Sequence, residues 1–400
     1  MDVLKQKTIV LGVTGSIAAY KAADLTSKLV QAGALVDVVL TKEAAAFVTP
    51  LTFRSLTHRP AAVDLFDPNS EQAIEHVALA QRADAVLVAP ATANAIARFA
   101  NGLADDLLAC IVLATTAPLL IAPAMEHHMF QHPATQANLD TLRRRGATVI
   151  GPASGRLASG EVGWGRMLEV PELIGHLRAV LGRNGDLAGR RIVVSAGGTQ
   201  EPLDPVRVLT NRSTGKQGYA LAEAARDRGA SVVLITAPTA LPDPVAMSVV
   251  HCDTALQMFD AVTNAVQGCD AIIMAAAVAD YRPTEAFDQK IKKEQSPELM
   301  LSLVKNPDII ASTNGPFIKV AFAAESEDLI LHARDKLVRK NVDLVIANDI
   351  SATDAGFAVD TNRVVILHRD GSMEDRPLML KSEVADEVLD RVVALLNKVG

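Results

Sequence analysis

The stretch TIVLGVTGSIAAYKAADLTSKLVQAG, residues 8–33, decides how this chain folds. TIVLGV is a short apolar, β-branched run that reads as a buried strand. AAYKAADLTSKLVQAG repeats its apolar residues at helical spacing. Between them lies GVTGS. Gly12 and Gly15 allow a tight turn, and Ser16 falls at a helix amino terminus, where unpaired N–H groups attract a phosphate. Strand, glycine turn and helix in succession open a βαβ unit, the building block of a parallel sheet. The turn is neither G-x-G-x-x-G nor a Walker A motif. By itself it defines a nucleotide-type fold and no particular ligand.

The alternation continues outward from this stretch. LVDVVLT, DAVLVAP, APLLIAPAM and GATVIGP follow in the first half. RRIVVSAGG, ASVVLITAP, DAIIMAAAVAD, FIKVAFAAES, VDLVIAND and RVVILHRDG follow in the second, with helix-period segments between. The expected fold is α/β, with two doubly wound parallel-sheet domains. A chain of 400 residues exceeds one ordinary core. LGRNGDLAGRR (181–191) is polar and Gly-rich, and a fresh strand follows at once, which places the boundary near residue 186, with domains 1–186 and 187–400. In such sheets ligands sit beyond the carboxyl ends of the strands at a topological switch point. The strand-end loops are therefore where chemistry belongs.

Composition removes several classes. Apolar residues make up 49% and aromatics only 4%, the profile of buried parallel strands under helices. The net charge of −7, with no basic run, argues against a nucleic-acid partner. Cys110, Cys252 and Cys269 form no CxxC pair, which fits a reducing cytosol and argues against a structural zinc site. The first apolar run is too short for a signal peptide, and no segment reaches transmembrane length. The expectation is a soluble cytoplasmic protein with no membrane partner.

The loops of the first half carry a consistent set of groups. Thr41 ends the second strand, its hydroxyl aimed into the crevice, and Pro90, Thr92 and Asn94 of APATAN offer rigid backbone and small polar groups to an aromatic ring edge. His76 lies upstream in HVALAQRAD. With these motifs in order, the half resembles the flavoprotein family of cysteine decarboxylases, specifically the phosphopantothenoylcysteine decarboxylase half of the bifunctional bacterial coenzyme A enzymes. The resemblance implies a flavodoxin-like domain. It implies FMN held by Gly15, Ser16 and Ile17 at the phosphate and by Thr41, Pro90, Thr92 and Asn94 at the flavin, with His76 as catalytic histidine. APAM, ATQAN and GRM fall on that family's substrate-binding segments. There the cysteine moiety is oxidised to a thioaldehyde, carbon dioxide leaves, and the enethiol is protonated and reduced. The protein must supply a base, a carboxylate anchor and an acid.

Two positions depart from the family pattern. Glu126 stands where P-A-M-N-x-x-M has the asparagine that anchors the substrate carboxylate, and Ser159 stands at the flap cysteine of A-C-G-D-x-G-x-G-R-M. An ionised Glu126 would repel a carboxylate strongly at low dielectric, so it is expected protonated or turned away. A protonated Glu126 would bind the carboxylate and return the proton that Ser159 cannot give. Glu126, His127, His128 and His132 lack the H-E-x-x-H spacing of a zinc helix. The three histidines are read as surface or interface polar residues.

The second half opens on SAGGT and NRSTGKQG, two anion-friendly turns that bring Asn211, Ser213, Thr214, Gly215 and Lys216 to a helix start. Asp280 ends a strand in AAAVADYRP. KIKK supplies Lys290, Lys292 and Lys293, NPDI supplies Asn306 to Ile309, and Phe322, Lys336, Lys340 and Asn348 follow. Several cations beside one exposed carboxylate suit a triphosphate with Mg²⁺. These segments resemble phosphopantothenate–cysteine ligase, whose fused bacterial forms use CTP. The resemblance implies Asn211 at the acyl-cytidylate, Lys290 in its formation, and Asp280 at the metal end of the nucleotide. It implies CTP contacts from Ala275, Ala276, Asn306, Pro307, Asp308, Ile309, Phe322, Lys336 and Lys340. It also implies homo-oligomers, with trimeric flavin domains and dimeric ligase domains combining into a dodecamer. Three other readings stay open: a ligase with a silent flavin half, a non-enzymatic binding protein, and an NAD(P) oxidoreductase using STGKQG as its glycine turn. Against the last, no acidic residue ends VVLITAP to hold a ribose.

Overall fold

A computed structural model describes residues 2–65, 75–292, 299–325, 329–349 and 359–399. The chain divides into two compact units, Asp2–Leu181 and Gly182–Gly400. Lys293 lies outside the described residues.

The first unit holds a parallel sheet of six strands: β1 (Thr8–Val13), β2 (Leu35–Leu40), β3 (Ala61–Ala62), β4 (Ala85–Ala91), β5 (Leu119–Pro123) and β6 (Thr148–Val149). The doubly wound class is as expected. The strands are ordered β3-β2-β1-β4-β5-β6. Side chains of a strand alternate between faces, and both faces here are apolar. Ile9, Leu11 and Val13 pack with Leu25 and Leu29 on one face, while Val10 packs with Ile96, Phe99 and Leu107 on the other. Every residue of β4 is buried. Double burial is why these strands read as unbroken apolar runs. A separate antiparallel hairpin of β7 (Ala153–Arg156) and β8 (Val162–Arg166) follows, with Ser159 exposed at its tip.

The main sheet of the second unit has eight strands: β9 (Arg191–Ala196), β10 (Ser231–Thr236), β11 (Ser248–His251), β12 (Ala271–Met274), β13 (Ile318–Glu325), β14 (Leu344–Asp349), β15 (Val364–His368) and β16 (Met373–Asp375). They are ordered β11-β10-β9-β12-β13-β14-β15-β16. Pairing is parallel as far as β14, and β15 and β16 add antiparallel edges. Ile192 and Val194 again face one apolar layer and Val193 the other. The order reverses between β1 and β4 in one unit and between β9 and β12 in the other. Each reversal splays two strand-end loops apart and leaves a crevice. Among the described residues no helix is long and apolar enough to cross a membrane.

Candidate active sites

In the first unit the crevice is drawn together by Thr14, whose Oγ1 donates to the Pro90 carbonyl at 2.8 Å and accepts from Thr92 N–H at 3.0 Å. These bonds hold the loops after β1 and β4 around a cavity of about 380 Å³. Gly15, Ser16, Thr41, Thr92 and Asn94 line it, so five of the seven residues assigned to FMN come together. Pro90 stands behind the wall through its bond to Thr14, and Ile17 is 60% exposed beside it. Thr41 and Thr92 each cap a helix start, accepting from Ala44 N–H and Ala95 N–H. Their hydroxyls are thus tied to the backbone as well as facing the cavity. Phe99, Leu108, Met125 and Met129 supply an apolar floor. Arg98 pairs with Asp106 at 2.6 Å on the wall, a charged pair that the motif reading passes over. An apolar floor beneath a polar rim and a turn rich in free amides fits a planar ring bearing a phosphate.

His76, Glu126 and Ser159 are not among the residues lining this cavity. His76 lies on the helix Glu75–Arg82, which is fastened to β2 because Arg82 Nε donates to the buried Asp37 at 2.7 Å. Arg59 donates to the other oxygen of Asp37 at 2.7 Å.

Glu126 is held by its own helix. It is the N-cap of the short helix His127–Gln131, and its Oε2 accepts from His128 N–H at 2.8 Å and Met129 N–H at 3.3 Å. Oε1 lies 3.0 Å from His128 Nδ1. Partial desolvation pushes this carboxyl up, but the His128 ring and the two amides outweigh it and hold it below the usual glutamate value. The Glu126 side chain is turned onto its own helix, one of the two arrangements expected for it. Met125 N–H donates to Gly165 O at 3.0 Å and Trp164 N–H to His127 Nδ1 at 3.0 Å, which fastens the hairpin to residues 125–127. Gly165 sits at φ 146°, and a Cβ there would lie 2.2 Å from the Met125 carbonyl oxygen, so this seam requires glycine. Glu161 on the hairpin approaches His128 at 3.9 Å, gathering Glu126, His128 and Glu161 at the surface. His132 caps the following helix by accepting from Ala134 N–H at 3.2 Å. Glu126→Gln is expected to lower the unfolding midpoint of the first unit while carbon dioxide release continues. Accumulation of an unreduced enethiol in that variant would instead restore the proton-donor role.

In the second unit the crevice opens between the loops after β9 and β12, joined by a bridge from Gly198 to Ala277. Ala279 N–H donates to Thr199 Oγ1 at 2.9 Å and Ala276 N–H to Ser195 Oγ at 3.1 Å, holding the second loop open. The cavity here is about 970 Å³. Asn211, Ala275, Ala276, Asp280, Asn306, Pro307, Asp308, Ile309, Phe322, Lys336 and Lys340 all line it, although they come from five separate segments. Asn211 Nδ2 donates to the carbonyls of Ala277 and Val278, each at 3.3 Å. Asn306 N–H donates to Asp280 O at 2.8 Å, and its side-chain amide donates to Ala279 O at 2.8 Å. Asp308 caps the helix Ile309–Ser312 and pairs with Lys340 at 3.1 Å, and Lys336 donates to Phe322 O at 2.7 Å. His332, Arg339 and Lys381 also line the cavity, residues that motif reading did not single out.

Lys290 is the exception, exposed and outside the lining. Its segment is nevertheless anchored. Ile291 N–H donates to Asp204 Oδ2 at 3.1 Å, and the buried Asp204 also accepts from Val206 N–H, Arg207 N–H and the Arg207 guanidinium. Burial opposes the charge on Asp204, but the amides of Ile291, Val206 and Arg207, together with the Arg207 charge, bring its carboxyl down to about 2. A carboxyl lowered in the folded state stabilises the fold above the ordinary aspartate value of about 4 and loses that contribution as pH falls through the folded value. The anchor should therefore weaken between about pH 4 and pH 2. Asp204→Ala is expected to speed amide exchange at residues 290–292 by freeing the segment. Unchanged exchange there would show that the anchor is not what orders Lys290.

Two doubly wound units, one with a flavin-sized crevice and one with a large cation-rich crevice, define a two-domain nucleotide-handling α/β protein. Residues 2–182 match the Flavoprotein family, and residues 187–396 match the DNA/pantothenate metabolism flavoprotein C-terminal domain. The chain is 46% identical over 395 residues to the Coenzyme A biosynthesis bifunctional protein CoaBC of Vibrio cholerae, covering 97% of this chain and 98% of that protein. It is 44% identical over 404 residues to the protein of that name from Bacillus subtilis, covering 99% of each. A crystal structure of the C-terminal domain of a CoaBC protein is 35% identical, with a TM-score of 0.47, covering 54% of this chain and 99% of that one. The chain belongs to the family of bifunctional coenzyme A biosynthesis proteins, with a flavoprotein unit first and a ligase unit second.

Proposed function

We propose that this chain joins 4′-phosphopantothenate to L-cysteine at the expense of CTP and then decarboxylates the product to 4′-phosphopantetheine. The observation that carries the reading is the convergence of Asn211, Asp280, the 306–309 turn, Phe322, Lys336 and Lys340 on one cavity at a switch point. In the ligase unit the substrate carboxylate attacks the α-phosphate of CTP and pyrophosphate leaves. The cysteine amine then displaces CMP to form the amide. Asn211 positions the acyl group, Asp280 would hold Mg²⁺, which would offset charge on the nucleotide, and Lys290 offsets charge on the α-phosphate as the acyl-cytidylate forms. Asn306 to Ile309, Phe322, Lys336 and Lys340 hold the nucleotide. Fixed cations and amides of this kind lower the barrier because they need not reorganise as charge develops.

In the first unit Gly15, Ser16 and Ile17 would hold the FMN phosphate, and Thr41, Pro90, Thr92 and Asn94 would hold the flavin, with Phe99, Leu108, Met125 and Met129 as apolar lining. FMN, when bound, supplies the oxidation and the later reduction of the substrate. His76 acts as the base, and the hairpin with Ser159 at its tip covers the substrate. His76 and Ser159 lie off the cavity of their own chain, which favours a homo-oligomer whose subunits share each site. The oligomer is cytoplasmic, with trimeric flavin units and dimeric ligase units.

Incubating the purified chain with phosphopantothenate, cysteine, CTP and Mg²⁺ tests the whole reading. Pyrophosphate, CMP and carbon dioxide should form in equal amounts. Pyrophosphate without carbon dioxide would leave only the ligase, and turnover with ATP alone would overturn the nucleotide assignment.

A further inference from the structure

The seam between the hairpin β7–β8 and residues 125–128 is bonded at its base and open toward its tip. Near the base, Met125 N–H reaches Gly165 O and Trp164 N–H reaches His127 Nδ1, each at 3.0 Å. Nearer the tip, Glu161 Oε2 stops 3.9 Å from His128 Nδ1, beyond hydrogen-bond reach. Glu126 Oε1 meets the same nitrogen at 3.0 Å. The three ligand atoms lie within 4.8 Å of one another, with Glu126 half-buried and His128 and Glu161 exposed. One ring nitrogen carries at most one proton, so it cannot serve both carboxylates at once. Among the described residues no lysine or arginine pairs with either carboxylate.

The local structure holds this group ready for a cation. Glu126 Oε2 accepts from His128 N–H and Met129 N–H, which fixes the carboxylate and leaves Oε1 toward the ring nitrogen. The His128 ring stands edge-on to His127 with centroids 5.5 Å apart, and His127 is itself bonded to the hairpin at Trp164. Ligand atoms about 2.0–2.2 Å from a tetrahedral ion stand about 3.4 Å apart. The Glu126–His128 spacing is already near that value, and the Glu161 side chain must close in by about half an ångström.

We propose that Glu126, His128 and Glu161 bind one divalent first-row transition-metal ion, which clasps the hairpin to the helix His127–Gln131. Binding uses one oxygen from each glutamate and the Nδ1 lone pair of His128, whose ring proton then sits on Nε2. The two carboxylates offset the charge of the ion, and a fourth position is left to water. The imidazole ligand selects against Mg²⁺ and Ca²⁺, which take oxygen ligands. Spacing along the helix could not show this group, because its third member arrives from the hairpin. The clasp depends on the fold of the first unit and on neither reaction proposed above.

The test is calorimetric titration of the full chain with Zn²⁺ in excess Mg²⁺, beside its Glu161→Gln and His128→Gln variants, with amide exchange followed at residues 157–163. The parent should take up one Zn²⁺ that each variant binds at least about tenfold more weakly. Zinc should slow exchange at 157–163 in the parent and leave it unchanged in Glu161→Gln. Should His128→Gln not fold, Glu161→Gln carries the test, since its side chain is exposed. Equal uptake by the parent and Glu161→Gln overturns the site and marks adsorption at other histidines. No uptake by the parent in excess Mg²⁺ overturns it as well. Uptake lost in Glu161→Gln, with zinc leaving exchange at 157–163 unchanged in the parent, overturns the clasp.

Discussion

Asn211→Asp is expected to lower ligase turnover by about two orders of magnitude while leaving flavin content unchanged. Asn211 donates its side-chain amide to two carbonyls, Ala277 O and Val278 O, on the far lip of the cavity. Aspartate has nearly the same shape but no donor, so an anionic oxygen would face both carbonyls. The new charge would also meet a substrate carboxylate and the phosphates it must attack, where a group that stabilises developing negative charge is worth about 3 kcal/mol. Asn211→Ala, which removes the donor without adding charge, should lose less. Pyrophosphate release measures the effect. Carbon dioxide release from supplied phosphopantothenoylcysteine should be unaffected, because that chemistry belongs to the other unit. Equal activity of parent and Asn211→Asp would remove Asn211 from the reaction.

Gly15→Val is expected to give a colourless protein with an intact ligase. A Cβ at residue 15 would lie 2.4 Å from Glu43 Cβ and 3.3 Å from the Glu43 carbonyl carbon. Neither atom is the free end of a flexible chain, so the loop after β1 and the loop after β2 must part. Overpacking of this kind costs about 1–3 kcal/mol, and here it falls on the wall that faces the ligand. Flavin affinity should drop about tenfold or more, read as absorbance per chain after purification. Full flavin content in Gly15→Val would mean that the cofactor does not use the crevice at β1 and β4.

Much of both sites was legible in the residues because topology confines function to few places. Once TIVLGV and AAYKAADL were read as strand and helix, the loops after the central strands became the only crevices in a parallel sheet. Gly15, Ser16, Thr92 and Asn94 lie there, as does Asp280, while Thr41 joins from the end of β2 and Asn306 from the end of a separate short strand. Strand order was not legible, because apolar runs of similar length carry no mark of their neighbours. Nor was the anchor of Lys290. Asp204 lies far from it along the chain, in a turn whose Asp-Pro sequence signals local geometry and says nothing of a partner at Ile291. Arg98 and Asp106 gave no sign of pairing across the flavin wall.

From its residues alone this chain was bound to form two strand–helix–strand layers with anion-holding turns at the strand ends, since periodicity and glycine placement are local properties. Charge states and pairings belong to the folded molecule. The Glu126 carboxyl is held below its usual value because His128 and two amides meet it, and Lys381 is buried beside Lys216 because two helices separated by more than a hundred residues start at one corner. The free energy of a charge depends on its solvent and its neighbours, and only the folded chain supplies them.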